Sequence, residues 1–215
     1  MIHLIGVEHK VQCKNPQWSV TQTHRDNWDR YSSIIERYLC EIQPSVVAEE
    51  YSEELLAKKN RAVSILKNLS EVHQTHTRRM VEHIFVEPDL AVQSAKGCKT
   101  EEQVEAILTT QLHAKPSRGQ IMSHMIAHQH PIRERLWFEQ IKKHLGSEIL
   151  FVCGDLHLYT FRRFLREKGA HCRIAERGIG VDASCLSDYE GLMLAIENQM
   201  CSDSRCFCQR PTQGC

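Results

Sequence analysis

One short pattern occurs twice in the chain: Gly6-Val7-Glu8-His9 and Gly154-Asp155-Leu156-His157 each follow a short apolar run. A third apolar run, Val46-Val47-Ala48, ends in Glu49-Glu50. Neutral imidazoles and a carboxylate are a common ligand set for a divalent metal, with one position left to water. A glycine ahead of each histidine lets the backbone turn sharply and pass close to a ligand. His9, His157 and Glu50 are therefore the candidate metal ligands, and Glu49, Glu50 and Arg133 the candidate catalytic groups. Neighbouring strand residues point to opposite faces, so one of the two glutamates faces the site. A guanidinium at position 133 can hold a carboxylate or steady an oxyanion, and a salt-bridged arginine at a helix start is the plain alternative. The cofactor expected is a divalent ion, manganese, cobalt or zinc.

Other residues carry weaker signals. Asp155 either lies beside the metal or complements the positive end of the following helix. Glu8 is a general base or a surface residue. His124, His128 and His130 follow one another at spacings of four and two. The first pair shares a helix face, and such pairs can bind metal, but no glutamate sits between them in the metalloprotease sense. They read as polar helix residues or as substrate contacts near the mouth of a site. His73 and His76 fall in a polar stretch. Cys201, Cys206, Cys208 and Cys215 lack the paired spacing of a structural zinc site.

The elements that must position these groups follow from periodicity. Residues 2–5, 45–48, 149–153 and 172–175 read as strands, and none alternates cleanly, which suits a parallel sheet buried on both faces. Helical patterns span 26–42, stopped by Pro44, then 52–69, 72–87, 100–112 with a Thr-Glu-Glu-Gln capping box, 131–145, 158–168 and 186–200. The order predicts an α/β fold: a small, mostly parallel central sheet flanked by helices, with an all-helical middle segment. In such sheets ligands bind beyond the carboxyl ends of the strands, where both histidines and the glutamates stand. One domain over 1–200 and a flexible cysteine-containing tail over 201–215 complete the reading.

The chain has 215 residues, with 27 basic and 27 acidic side chains. That balance gives no strong basic field for nucleic acid. No apolar run approaches the length of about 18 residues that a membrane span needs. The opening MIHLIGVEHK has no basic segment before its apolar residues, unlike a signal peptide. A cytoplasmic setting with mostly free thiols is expected, and a small-molecule or peptide substrate rather than nucleic acid or membrane.

The early HLIGVEH and the late ILFVCGDLHLYTF, the acidic strand end VVAEEYSEE, and the helix Arg133-Glu134-Arg135-Leu136-Trp137-Phe138-Glu139-Gln140-Ile141 together resemble the TraB/Tiki superfamily, related to erythromycin esterase-like and ChaN-like folds. The resemblance touches 2–9, 46–54, 133–141 and 149–176. It implies that His9, His157 and one of Glu49 and Glu50 are metal or catalytic positions. It also implies metal-dependent hydrolysis of a peptide, ester or other acyl bond. Glu134 stands where the family has asparagine, and Leu158-Tyr159-Thr160 where one branch has Pro-Gly. The alternatives are a non-catalytic ligand-, metal- or haem-binding protein, and a metal-free esterase working through histidine and glutamate.

Overall fold

The computed structural model describes residues 1–14, 21–58 and 62–180. Its strands are β1 (Ile2–Val7), β2 (Cys13–Lys14), β3 (Val46–Glu49), β4 (Val63–Ser64), β5 (Glu82–Phe85), β6 (Ile149–Gly154) and β7 (Cys172–Ile179). Five of them form one parallel sheet in the order β5-β3-β6-β1-β7. Strands β2 and β4 make a separate antiparallel pair. All residues of β1, β3 and β6 are buried, as their unbroken apolar runs require.

Successive side chains of these strands feed two cores. Ile5, Val7, Val47, Leu150 and Val152 pack beneath α1 (Gln22–Ile42) and α3 (Ile65–Thr77), against Tyr31, Ile35, Leu39 and Leu66. Ile149, Phe151 and Cys153 pack on the other face, against Trp137 and Ile141 of α7 (His130–Ile141) and Phe161 and Leu165 of α8 (Leu158–Glu167). Helix α1 begins at an N-cap, Thr21, whose side chain accepts from the His24 amide, and it ends at Gln43 in the left-handed region, just before Pro44.

Between the two sheet halves lie α2 (Glu53–Lys58), ahead of β4, and then α4 (Leu90–Ala95), α5 (Glu101–Leu112) and α6 (Arg118–His124), followed by a π-helical turn, Met125–Gln129. The capping box at the start of α5 is present, with Thr100 and Gln103 bonding each other's backbone.

Two expectations are corrected. The pattern over 52–69 does not form one helix, because β4 interrupts it and Ser64 caps α3 instead. The stretch 72–87 is helical only to Thr77; Arg78 turns left-handed and β5 follows at the sheet edge. Its sequence Glu-His-Ile-Phe is too short and too polar to announce a strand, and its pairing with β3 decides the matter. The helical middle segment expected from the sequence is present, running from Leu90 to Ile141. The helix expected over 186–200 and the tail over 201–215 lie outside the described residues, which form one compact unit, Met1–Gly180. Among them Cys13, Cys40, Cys98, Cys153 and Cys172 are free thiols. No described helix is long and apolar enough to cross a membrane.

Phe161 is wholly buried and meets Trp137, Phe151 and Phe164 at ring separations of 5.5, 4.8 and 6.4 Å. Phe161→Ala should cost about 3–5 kcal/mol. Urea denaturation checks this, and a loss below about 1 kcal/mol would show that this face is loosely packed.

Candidate functional site

The carboxyl ends of β1, β3, β5 and β6 bring a polar cluster together against the start of α7. Each Gly-x-x-His motif makes room for the other. A Cβ on Gly154 would lie 2.8 Å from His9 Nε2 and 3.3 Å from Glu50 Oε2. A Cβ on Gly6 would collide with the Asp155 carboxylate and the Leu158 side chain. The glycines are therefore needed for the close approach of two neighbouring strand ends rather than for positive φ. Asp155 stands in the first turn of the short helical segment that leads into α8; it is buried, and its Oδ1 accepts from the Gly178 amide at 2.7 Å, tying β7 to the motif. Glu8 is a partly exposed surface residue paired with Lys10 at 2.9 Å.

Glu49 and Glu50 diverge, as adjacent strand residues must. Glu49 points away from both histidine motifs and meets Ser64 Oγ and His83 Nε2, the latter at 2.8 Å. Strand alternation aims it at the face opposite the cluster, so of the two glutamates Glu50 is the one that joins the histidine motifs. Glu50 faces the cluster. Its Oε2 accepts from the Gly154 amide at 2.6 Å, and its Oε1 accepts from Arg133 Nη2. His9 Nε2 and His157 Nε2 lie 3.5 and 3.7 Å from that same Oε1.

Arg133 is the hub. Its Nε donates to Glu87 Oε1 at 3.0 Å, and its Nη1 lies 3.3 Å from His157 Nε2. Glu87 is held in turn by the Trp137 indole N–H at 2.6 Å. Burial alone would lower the Arg133 pKa, but the carboxylates of Glu50 and Glu87 reverse this and keep it charged. Burial pushes the Glu87 carboxyl up, with Arg133 opposing.

Because a guanidinium only donates, His157 Nε2 is the acceptor in that contact, which leaves the proton on Nδ1. Nδ1 donates to Glu134 Oε1 at 3.0 Å, and Thr160 Oγ1 donates to the same oxygen. Glu134 is thus the residue that orients His157. His130 stacks on His157, with ring centres 3.6 Å apart and planes 25° apart. Its Nδ1 is buried and has no hydrogen-bond partner, a costly state for an imidazole that a ligand would relieve.

His130, Glu134 and His157 offer one ligand atom each within 4.8 Å of one another, a group that could hold a metal ion. All three are buried. Of the ligands expected from sequence, the structure keeps His157 in this group and leaves His9 and Glu50 beside it, on the side where His9 is half exposed. The sequence reading sets His130 with His124 and His128 and does not single out Glu134 as a ligand. The spacing of four between His130 and Glu134, one turn of helix apart behind a proline at the helix start, was the available signal.

Burial, followed by the charge of Arg133 and the nearness of His9, lowers the His130 pKa to about 3. Burial likewise holds His157 neutral, well below the ordinary range. Burial raises Glu134 to about 8, against the Thr160 hydrogen bond and with Glu50 adding to the rise.

Comparison of the chain with protein families, with curated proteins and with solved structures finds no match.

Two outcomes follow from this geometry. Gly6→Ala should destabilise more than Gly154→Ala, by roughly 1–3 kcal/mol against less than about 1, because half-exposed His9 can swing into solvent whereas Asp155 and Leu158 are buried. Equal losses in urea titrations would contradict this. In metal-free protein, unfolded histidines titrate near 6.5 while His130 stays neutral down to about 3. The unfolded chain then binds more protons below that pH, so stability falls as pH drops from about 6.5. Glu134 works the other way: its folded pKa of about 8 exceeds the unfolded value, so its ionisation costs stability as pH rises toward 8. Urea midpoints measured with chelator from pH 5 to 8.5 should peak near neutrality. Glu134→Gln should flatten the alkaline side and His130→Gln should soften the acid side.

Proposed function

We propose that the chain is a metal-dependent hydrolase of acyl bonds of the TraB/Tiki type. The observation that carries this reading is the convergence of two imidazoles and a carboxylate within 4.8 Å, beside a buried guanidinium. Two histidines and one glutamate are the donor set of a class of hydrolytic zinc centres, and the unpartnered buried nitrogen of His130 suits ligation. His130, Glu134 and His157 would hold the ion. Bound there, a divalent ion supplies a Lewis acid and a nucleophile near neutral pH. Arg133, fixed by Glu87 and Glu50, steadies negative charge developing on the substrate oxygen. Glu50, outside the metal group and pinned by the Gly154 amide, takes the proton. The substrate, a small molecule or a peptide, arrives on the side of His9. The placement of both Gly-x-x-His motifs at the ends of neighbouring strands supports kinship with the superfamily. The buried free thiols Cys13 and Cys153 support a cytoplasmic setting.

A second reading has its own support. The Glu134–His157 hydrogen bond leaves Nε2 unprotonated, 3.3 Å from Arg133 Nη1 and 3.7 Å from Glu50 Oε1, and a neutral histidine with an orienting carboxylate is the arrangement of a metal-free base.

An acyl-substrate screen with and without chelator, joined to elemental analysis, separates the two. The metal reading expects activity lost to chelator and restored by a divalent ion. His157→Ala should abolish turnover and lower bound metal. Arg133→Lys should retain metal and lose about 100-fold or more in turnover. Glu49→Gln should leave the chemistry unchanged. Chelator-resistant turnover that still needs His157 and Glu134 would replace the metal reading with the second one. A tightly held ligand with no turnover on any substrate would leave a binding protein.

A further inference from the structure

We propose that His124 and His128 form a second transition-metal site, on the surface and just ahead of the buried cluster in the chain. Helix α6 ends at His124, the π-helical turn carries His128, and His130 opens α7. The two rings face each other at a centroid separation of 4.5 Å with planes 52° apart. His124 is half-buried and His128 exposed. Among the described residues neither imidazole has a hydrogen-bond or ion-pair partner, so each keeps a ring nitrogen for a ligand.

Paired imidazoles suit zinc, nickel and copper rather than calcium or magnesium. Solvent exposure lets water complete the coordination that two side chains begin. The site is separate from the buried group, which uses His130, Glu134 and His157. It has a structural consequence as well. π-helical turns are rare and concentrate at functional sites. This one ends in Gln129, whose Oε1 accepts from the Lys99 amide at 2.8 Å, and the next residue is His130. A cation bridging His124 and His128 spans the turn and clamps the backbone that delivers His130.

The test is a zinc titration of the full chain against a chromophoric chelator, run on wild type, His157→Ala, His124→Asn, His128→Asn and the two surface changes in the His157→Ala background. Differences between variants cancel zinc held by other histidines and thiols. Each surface variant should lose one equivalent relative to its parent, in both backgrounds, and zinc should raise the melting temperature of the parent more than that of the surface variants. Should His157→Ala not fold, the wild-type comparison alone decides. Unchanged stoichiometry in His124→Asn and His128→Asn overturns the proposal. A failure of the buried metal site appears instead as equal stoichiometry in wild type and His157→Ala, with the loss on surface substitution intact.

Discussion

A guanidinium buried at the carboxyl edge of the sheet has to be paired, and the pairing of Arg133 fixes the positions of the groups around it. Glu50 comes from the end of β3, Glu87 from just beyond β5, and His157 from the turn after β6. Arg133 itself rides on α7, so one side chain joins three strand ends to a helix on one face. A buried pair of this kind contributes little net stability compared with apolar packing, but removing one partner leaves an uncompensated charge and is costly. Trp137 connects that network to the core, because its indole N–H satisfies Glu87 while its rings pack on Phe151 and Phe161.

The same edge shows how backbone space becomes chemistry. Gly154 leaves the volume that His9 occupies, and Gly6 leaves the volume for Asp155 and Leu158. Parallel register places Gly6 opposite Cys153 and Val7 opposite Gly154, so the two motifs leave the sheet side by side. Strand alternation then sorts the adjacent glutamates. Glu50 joins the cluster, while Glu49 is buried among Ser64 and His83 on the other side, with one oxygen unpartnered.

Burial sets the protonation states that matter. His130 and His157 stay neutral because their charged forms would lose hydration without gaining a carboxylate partner that outweighs it. Glu134 tends to keep its proton for the same reason. Neutral imidazoles are what a metal ligand or a general base must be, so the low-dielectric setting prepares the site for either role.

The sequence by itself determined the sheet core and its parallel sense, since β1, β3 and β6 are unbroken apolar runs that only a two-sided cover can bury. It also located α1, α5, α7 and α8 through their periodicity and caps, and singled out His9, Glu50, Arg133 and His157 as groups near one sheet edge. Strand β5 was not legible, because four residues with one charge and one histidine gain their strand character only by pairing with β3. The membership of the group that could hold a metal was not legible either. His130 and Glu134 look like ordinary residues of a polar helix until α7 packs on the sheet and stacks one imidazole on another. Local pattern fixes which elements form, whereas ligand convergence depends on how separate elements pack, and only the tertiary structure decides that.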